Sequence, residues 1–196
     1  RERYEEHNLP LWAQLSRGEI TAETLRMERF RRPFVDAGID NDTATSMSAR
    51  LDSVYLDFLA DEKATVRGAV ELLKRLKDSG VRTGVLSNGF ADVQHRKMRS
   101  AGIAPYIDIT VLSDDIGIAK PDVRLYNYAM QRSGCEEPAA HLMLGDNPDT
   151  DIAGALSAGW HGILLQPQYS GHARKTLPVG AVSVDTLAEA AMLLGL

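Results

Sequence analysis

His141-Leu142-Met143-Leu144-Gly145-Asp146-Asn147-Pro148-Asp149-Thr150-Asp151 opens with a short apolar run suited to a buried strand. Gly145 and Asp146 stop that strand, and a second acidic cluster opens a helical segment over 152–158. Asp146 is therefore expected at the carboxyl end of a strand, with Asp151 one loop later. In open α/β sheets that crevice binds ligands. Two carboxylates on a tight turn, with no thiol or imidazole in reach, suit a hard cation such as Mg²⁺. Read blandly, the same acids cap a helix and favour its positive end, and the turn alone does not decide between the two.

Outward from this turn, apolar strands alternate with helices. Helices are predicted over 69–78, 91–101, 123–133 and 186–194, and strands over 81–86, 107–112, 142–144, 162–165 and 181–184. Such alternation indicates a doubly wound parallel α/β sheet of Rossmann-like type, with helices on both faces. Residues 1 to about 64 read instead as helical, and the change of rhythm near residue 65 marks a boundary between a domain over 1–64 and one over 65–196. In the first of these Gly18 closes a helix, Thr21 caps the next and Pro33 kinks or ends it, and Asp42 or Thr43 caps a third. Met47, Leu51, Val54 and Phe58 fall at helical spacing on that third helix and are expected in the core. Arg29, Arg31 and Arg32 read as a solvated face, and Trp12 as packing.

The bulk numbers are those of an ordinary soluble chain: 196 residues, 44% hydrophobic and 25% charged. A net charge of −5 gives no reason to expect nucleic acid or an anionic membrane as partner. The single cysteine, Cys135, rules out an internal disulfide framework and fits a reducing, cytoplasmic location. No apolar run reaches spanning length, and no signal-peptide pattern heads the chain. The oligomeric state stays open between monomer and homodimer.

Three strand ends converge on one edge of the expected sheet. Ser87-Asn88-Gly89 follows the first strand and offers a hydroxyl, an amide and a bare backbone, suited to phosphoryl oxygens or to a simple turn. Lys120, in Gly117-Ile118-Ala119-Lys120-Pro121-Asp122, precedes a proline that holds it extended and can start the next helix. A fixed cation near a hydroxyl and a metal-held carboxylate is what a phosphate site requires. His95 reads as helix surface and Cys135 as structural.

The order Leu86-Ser87-Asn88-Gly89, then Ala119-Lys120-Pro121, then Gly145-Asp146 with Asp151 resembles the second, third and fourth motifs of the haloacid dehalogenase-like hydrolase superfamily. The helical stretch before them looks like that superfamily's cap domain. Asn8-Leu9-Pro10-Leu11-Trp12 through Gly18-Glu19-Ile20-Thr21, with Asn88-Gly89-Phe90, is similar to the pyrimidine 5′-nucleotidases within it. The resemblance implies that Ser87 binds the transferred phosphoryl group with Asn88 and Gly89, that Lys120 neutralises charge, and that Asp146 and Asp151 hold Mg²⁺. It implies hydrolysis of a small phosphorylated metabolite, such as a nucleoside 5′-monophosphate, through an aspartyl-phosphate.

The superfamily's first motif, Asp-x-Asp at the end of a central strand, has no match. The chain opens on Arg-Glu-Arg without an initiator Met. Roughly 15–25 upstream residues, a strand and its loop, are expected to supply the nucleophile, and the chain as written is expected to be inactive. Two rivals stand beside this reading: a metal-independent 2-haloacid dehalogenase, and a non-catalytic binding protein of the same fold.

Overall fold

The structure is a computed structural model that describes residues 2–167 and 174–196; Arg1, the first residue of the predicted helical stretch, lies outside them. Its chain divides into two compact units, one of residues 1–62 with 89–100 and one of 63–88 with 101–196. The first boundary falls close to the expected switch in rhythm. Residues 89–100, which the sequence reading assigns to the second domain, instead cluster with the first.

The first unit is helical: α1 (Glu2–Ser16), α2 (Ala22–Asp36), α3 (Asn41–Asp61) and α5 (Ala91–Ser100). Gly18 takes a left-handed φ of 71° just past α1, a backbone region open to glycine at little cost. Thr21 caps α2 by accepting the Thr24 N–H at 3.1 Å. Pro33 lies inside α2, which runs on to Asp36, so it does not end the helix. The cap of α3 is Asp40, accepting from the Thr43 N–H at 3.0 Å, two residues before the earlier expected position.

Two expectations for this unit are overturned. Met47, Leu51, Val54 and Phe58 are exposed, Phe58 by 76%. The inward face of α3 carries Ala44, Ser48, Asp52, Leu56 and Ala60. Small residues there let helices approach closely, so the face with more hydrocarbon is not the buried one. Arg29 is 2% exposed rather than solvated. Its guanidinium lies 4.9 Å from the Tyr55 ring centre and 5.0 Å from that of Phe30, and it donates through Nε and Nη2 to Asp52 Oδ1. Arg26 donates to Asp52 Oδ2 at 2.8 Å. Leu11, Leu25, Leu56, Ala60, Phe90 and Val93 complete the core, with Trp12 packed against it.

The second unit holds α4 (Ala69–Asp78), β1 (Gly84–Ser87), β2 (Ile109–Leu112), α6 (Ser113–Ile116), α7 (Val123–Ser133), β3 (Leu142–Gly145), α8 (Ala153–Ser157), β4 (His161–Leu165), β5 (Val182–Val184) and α9 (Leu187–Leu193). Every strand pair is parallel: β1 with β2, β3 with β4, and β4 with β5. Helices α4 and α9 cover one face through Leu72, Leu187 and Ala191, against Leu144 and Leu165. On another side Tyr126, Ala155, Ala158 and Trp160 form a cluster that receives Leu86 of β1 and Met143 of β3.

Among the described residues the strands form two sheets, β1-β2 and β3-β4-β5. The edge strands β1 and β3 are only half-buried, whereas β2 ends in buried Val111 and Leu112, and β4 is buried over Gly162–Leu164. The sequence predicts a buried strand from Val81; the ladder begins at Gly84, after the Thr83 N–H has been taken by the Asp108 carboxylate.

Candidate active site

Four segments of the second unit meet at the carboxyl ends of β1 and β3. Lys120 is their hub. Its ammonium donates to the Leu86 carbonyl at 2.9 Å and to Asp151 Oδ1 at 2.7 Å. Lys120 is 8% exposed and Asp151 5%. A buried ion pair of this kind is tolerated only when both charges find further partners, and here they do. Asp151 Oδ2 accepts the Asn147 N–H at 3.0 Å. The backbone of Lys120 is clasped by Asn88, whose Oδ1 accepts the Lys120 N–H at 2.7 Å while its Nδ2 donates to the Lys120 carbonyl at 3.0 Å.

Ser87 therefore stands between two residues, Leu86 and Asn88, that are both fastened to Lys120. The Lys120–Pro121 peptide is cis, and α7 starts two residues after the proline on the cap Asp122, which accepts the Arg124 N–H at 2.9 Å. Asp146, between Gly145 and Asn147, is exposed at the end of β3. Its carbonyl accepts from the Lys175 ammonium at 2.7 Å. Lys175, Thr176, Asn147, Pro148 and Asp149 line a cavity of about 340 Å³ at this turn.

The turn carrying Asp151 is a π turn, Pro148–Ile152, capped by Asn147, whose Oδ1 accepts the N–H groups of Asp149 and Thr150. Single π turns recur at functional sites. Glycines clear the space it needs. A Cβ on Gly145 would lie 2.4 Å from Asp151 Oδ2, and one on Gly162 2.8 Å from Ile152 Cγ2. Below the turn, the fully buried Tyr126 donates its hydroxyl to the carbonyls of Thr150 at 2.6 Å and Asp151 at 3.0 Å. Its pKa is raised by burial and by the negative charge of Asp151, so it stays a donor throughout the working pH range. A Cβ on Gly154 would strike its ring.

The structure thus gathers Ser87, Asn88, Lys120 and Asp151 into one bonded chain, with Asp146 and Gly89 adjoining it along the backbone. Asn147, Tyr126 and Lys175 were missed by sequence reasoning. Asn-Pro is a turn signal that could have flagged Asn147; Tyr126 and Lys175 carry no local signal. As donors to a hard cation the two acids differ: Asp146 presents its carboxylate at the surface, while both oxygens of Asp151 already accept hydrogen bonds. Among the described residues no group of three or more His, Cys, Asp and Glu side chains could hold a metal ion.

A family model described as haloacid dehalogenase-like hydrolase matches residues 5–159. The pyrimidine 5′-nucleotidase YjjG of Escherichia coli is 28% identical over 156 residues, covering 80% of this chain and 66% of the relative. The phosphoserine phosphatase of Thermus thermophilus is 35% identical over 126 residues, covering 62% and 50%. Against these two relatives the chain spans roughly half to two thirds of their length. Among solved structures, the magnesium-bound HAD-hydrolase YfnB of Bacillus subtilis superposes with a TM-score of 0.87 at 24% identity, over 100% of this chain and 82% of that one. A 2-haloacid dehalogenase from Pseudomonas syringae gives a TM-score of 0.67 at 27% identity, over 97% and 80%.

Proposed function

Because this chain belongs to the haloacid dehalogenase-like hydrolase family, we propose that it is the greater part of a Mg²⁺-dependent phosphatase acting on small phosphate monoesters, nucleoside 5′-monophosphates among them. The observation that carries this reading is the buried Lys120–Asp151 pair locked to the end of β1. Two N–H groups of the ammonium are committed to Leu86 and Asp151, and the third is left to meet a phosphoryl oxygen. Ser87 lies between Leu86 and Asn88, both bonded to Lys120, and in this reading its hydroxyl and the backbone that follows bind the phosphoryl oxygens.

In this reading Asp146 holds the cation, completed by water and by oxygens from outside the described residues, and Asp151 acts through Lys120. The bound cation would offset negative charge on the phosphoryl group. The chain's own side chains bind and orient that group, and Lys120 holds positive charge against its oxygens without surrendering a proton. The attacking carboxylate would come from a strand preceding Arg1, paired between β1 and β3. A chain beginning at Arg1 would then fail to turn over.

Full-length protein is expected to hydrolyse an aryl phosphate with Mg²⁺ and to lose that activity in EDTA. Lys120→Met should lower kcat by roughly 10²–10³-fold, as for loss of one charge-stabilising donor. The likeness to a 2-haloacid dehalogenase gives the second reading. Halide release from 2-chloropropionate that survives EDTA, without phosphate release, would establish it; neither activity would leave a binding protein.

A further inference from the structure

Met47, Leu51, Val54 and Phe58 stand exposed on α3, by 40%, 39%, 49% and 76%, on the side away from the helix's core face. Their spacing is four, three and four residues. That is the narrow seam of a coiled coil rather than the broad stripe of a helix seated on a globular core. Together they expose roughly a few hundred Å² of contiguous hydrocarbon, the scale at which a surface patch marks an association site. Apolar side chains of this size, set in register along a 21-residue helix, call for a cover with the same periodicity.

We propose that this cover is α3 of a second copy of the chain, laid antiparallel across a two-fold axis. Such an axis passes between Asp52 and Ser53, in the middle of the seam. It sets Leu51 against Val54 of the second copy, and Met47, the most adaptable of the four, against the large ring of Phe58. Self-complementarity of one patch is what two-fold association requires.

The charges beside the seam fit the same operation. Arg50 and Asp57 lie on one flank, seven residues apart, where antiparallel pairing brings like flanks together. Arg50 is exposed and makes no ion pair among the described residues. Asp57 is 63% exposed and shares Arg96 with Asp61, at 2.7 and 3.0 Å. That trio carries two negative charges and one positive. The two-fold axis places each Arg50 within a helical turn of the second copy's Asp57, so an unpaired cation meets a surplus anion twice. A parallel arrangement would set the two Arg50 side chains at the same level and forfeit this match.

Sedimentation equilibrium of the full-length protein between about 5 and 100 μM tests the proposal and reads mass, not activity. Wild type is expected at twice the mass of one chain. Phe58→Glu and Leu51→Lys should sediment as single chains with unchanged far-ultraviolet circular dichroism. Arg50→Glu adds no burial change and should raise the dissociation constant roughly tenfold, since two pairs turn repulsive; it decides the matter should the seam variants misfold. Wild type at single-chain mass at 100 μM would overturn the proposal. So would a dimer indifferent to Arg50→Glu, which would place association on another surface.

Discussion

A carboxylate shared by two guanidiniums lies inside the helical unit, where Asp52 answers both Arg29 and Arg26. Arg29 sits among the rings of Phe30, Tyr55 and Phe90, which stabilise its cation but cannot accept its N–H groups. Asp52→Ala would leave that charge buried without a counter-ion, and is expected to destabilise the protein by about 3–5 kcal/mol, measured by urea unfolding. Arg26→Ala, at the half-exposed end of the same network, should cost about 1 kcal/mol or less. An equal loss from both would contradict the division of labour drawn here. In the second unit Lys120 and Asp151 are the corresponding buried pair, to which the proposed function gives a use beyond cohesion.

At the level of elements, the segment most constrained is the π turn after β3. Asp151 reaches Lys120 only because Gly145 has no side chain: an added methyl would overlap the carboxylate. Gly145→Ala should therefore push Asp151 off Lys120, lowering the unfolding free energy by about 1–3 kcal/mol, the range for overpacking a filled site, and kcat with it. A variant as stable and active as wild type would show that the turn can yield. The strands, the motif turns and most helix ends were legible in the sequence because their signals are local. Apolar runs stop at Ser-Asn-Gly or Gly-Asp, and the Thr21 hydroxyl caps the backbone three residues on. The inward face of α3 was not legible, because hydrocarbon content does not identify the buried side when close approach is made by Ala44, Ser48 and Ala60. Nor could the sequence alone reveal that Arg29 in a basic run finds Asp52, which lies 23 positions away. Tyr126 was missed for the same reason: its hydroxyl acts on carbonyls 24 and 25 positions further on.

For the molecule as a whole, the division of the strands into β1-β2 and β3-β4-β5 has a measurable counterpart. Residues of β1 and β3 are at most half-buried, whereas β4, paired on both edges, is buried over Gly162–Leu164. If a preceding strand pairs between β1 and β3, as the proposed function holds, hydrogen exchange in full-length protein should be as slow in β1 and β3 as in β4. In a chain beginning at Arg1 it should be faster by orders of magnitude, since exchange there follows local opening rather than global unfolding. Equal rates in the two proteins would count against that strand and, with it, the expected source of the nucleophile.

The clasp of Asn88 on Lys120 has a mechanical side. An amide that gives to and takes from one backbone unit behaves like a peptide group cut from its chain. It supplies one more pair of backbone-like bonds just past the last residue of β1, without lengthening the strand. Ser87 thereby becomes a bead between two knots, one tied by the main chain of Leu86 and the other by a side chain. The main chain at the serine is thus fastened to one lysine from both sides.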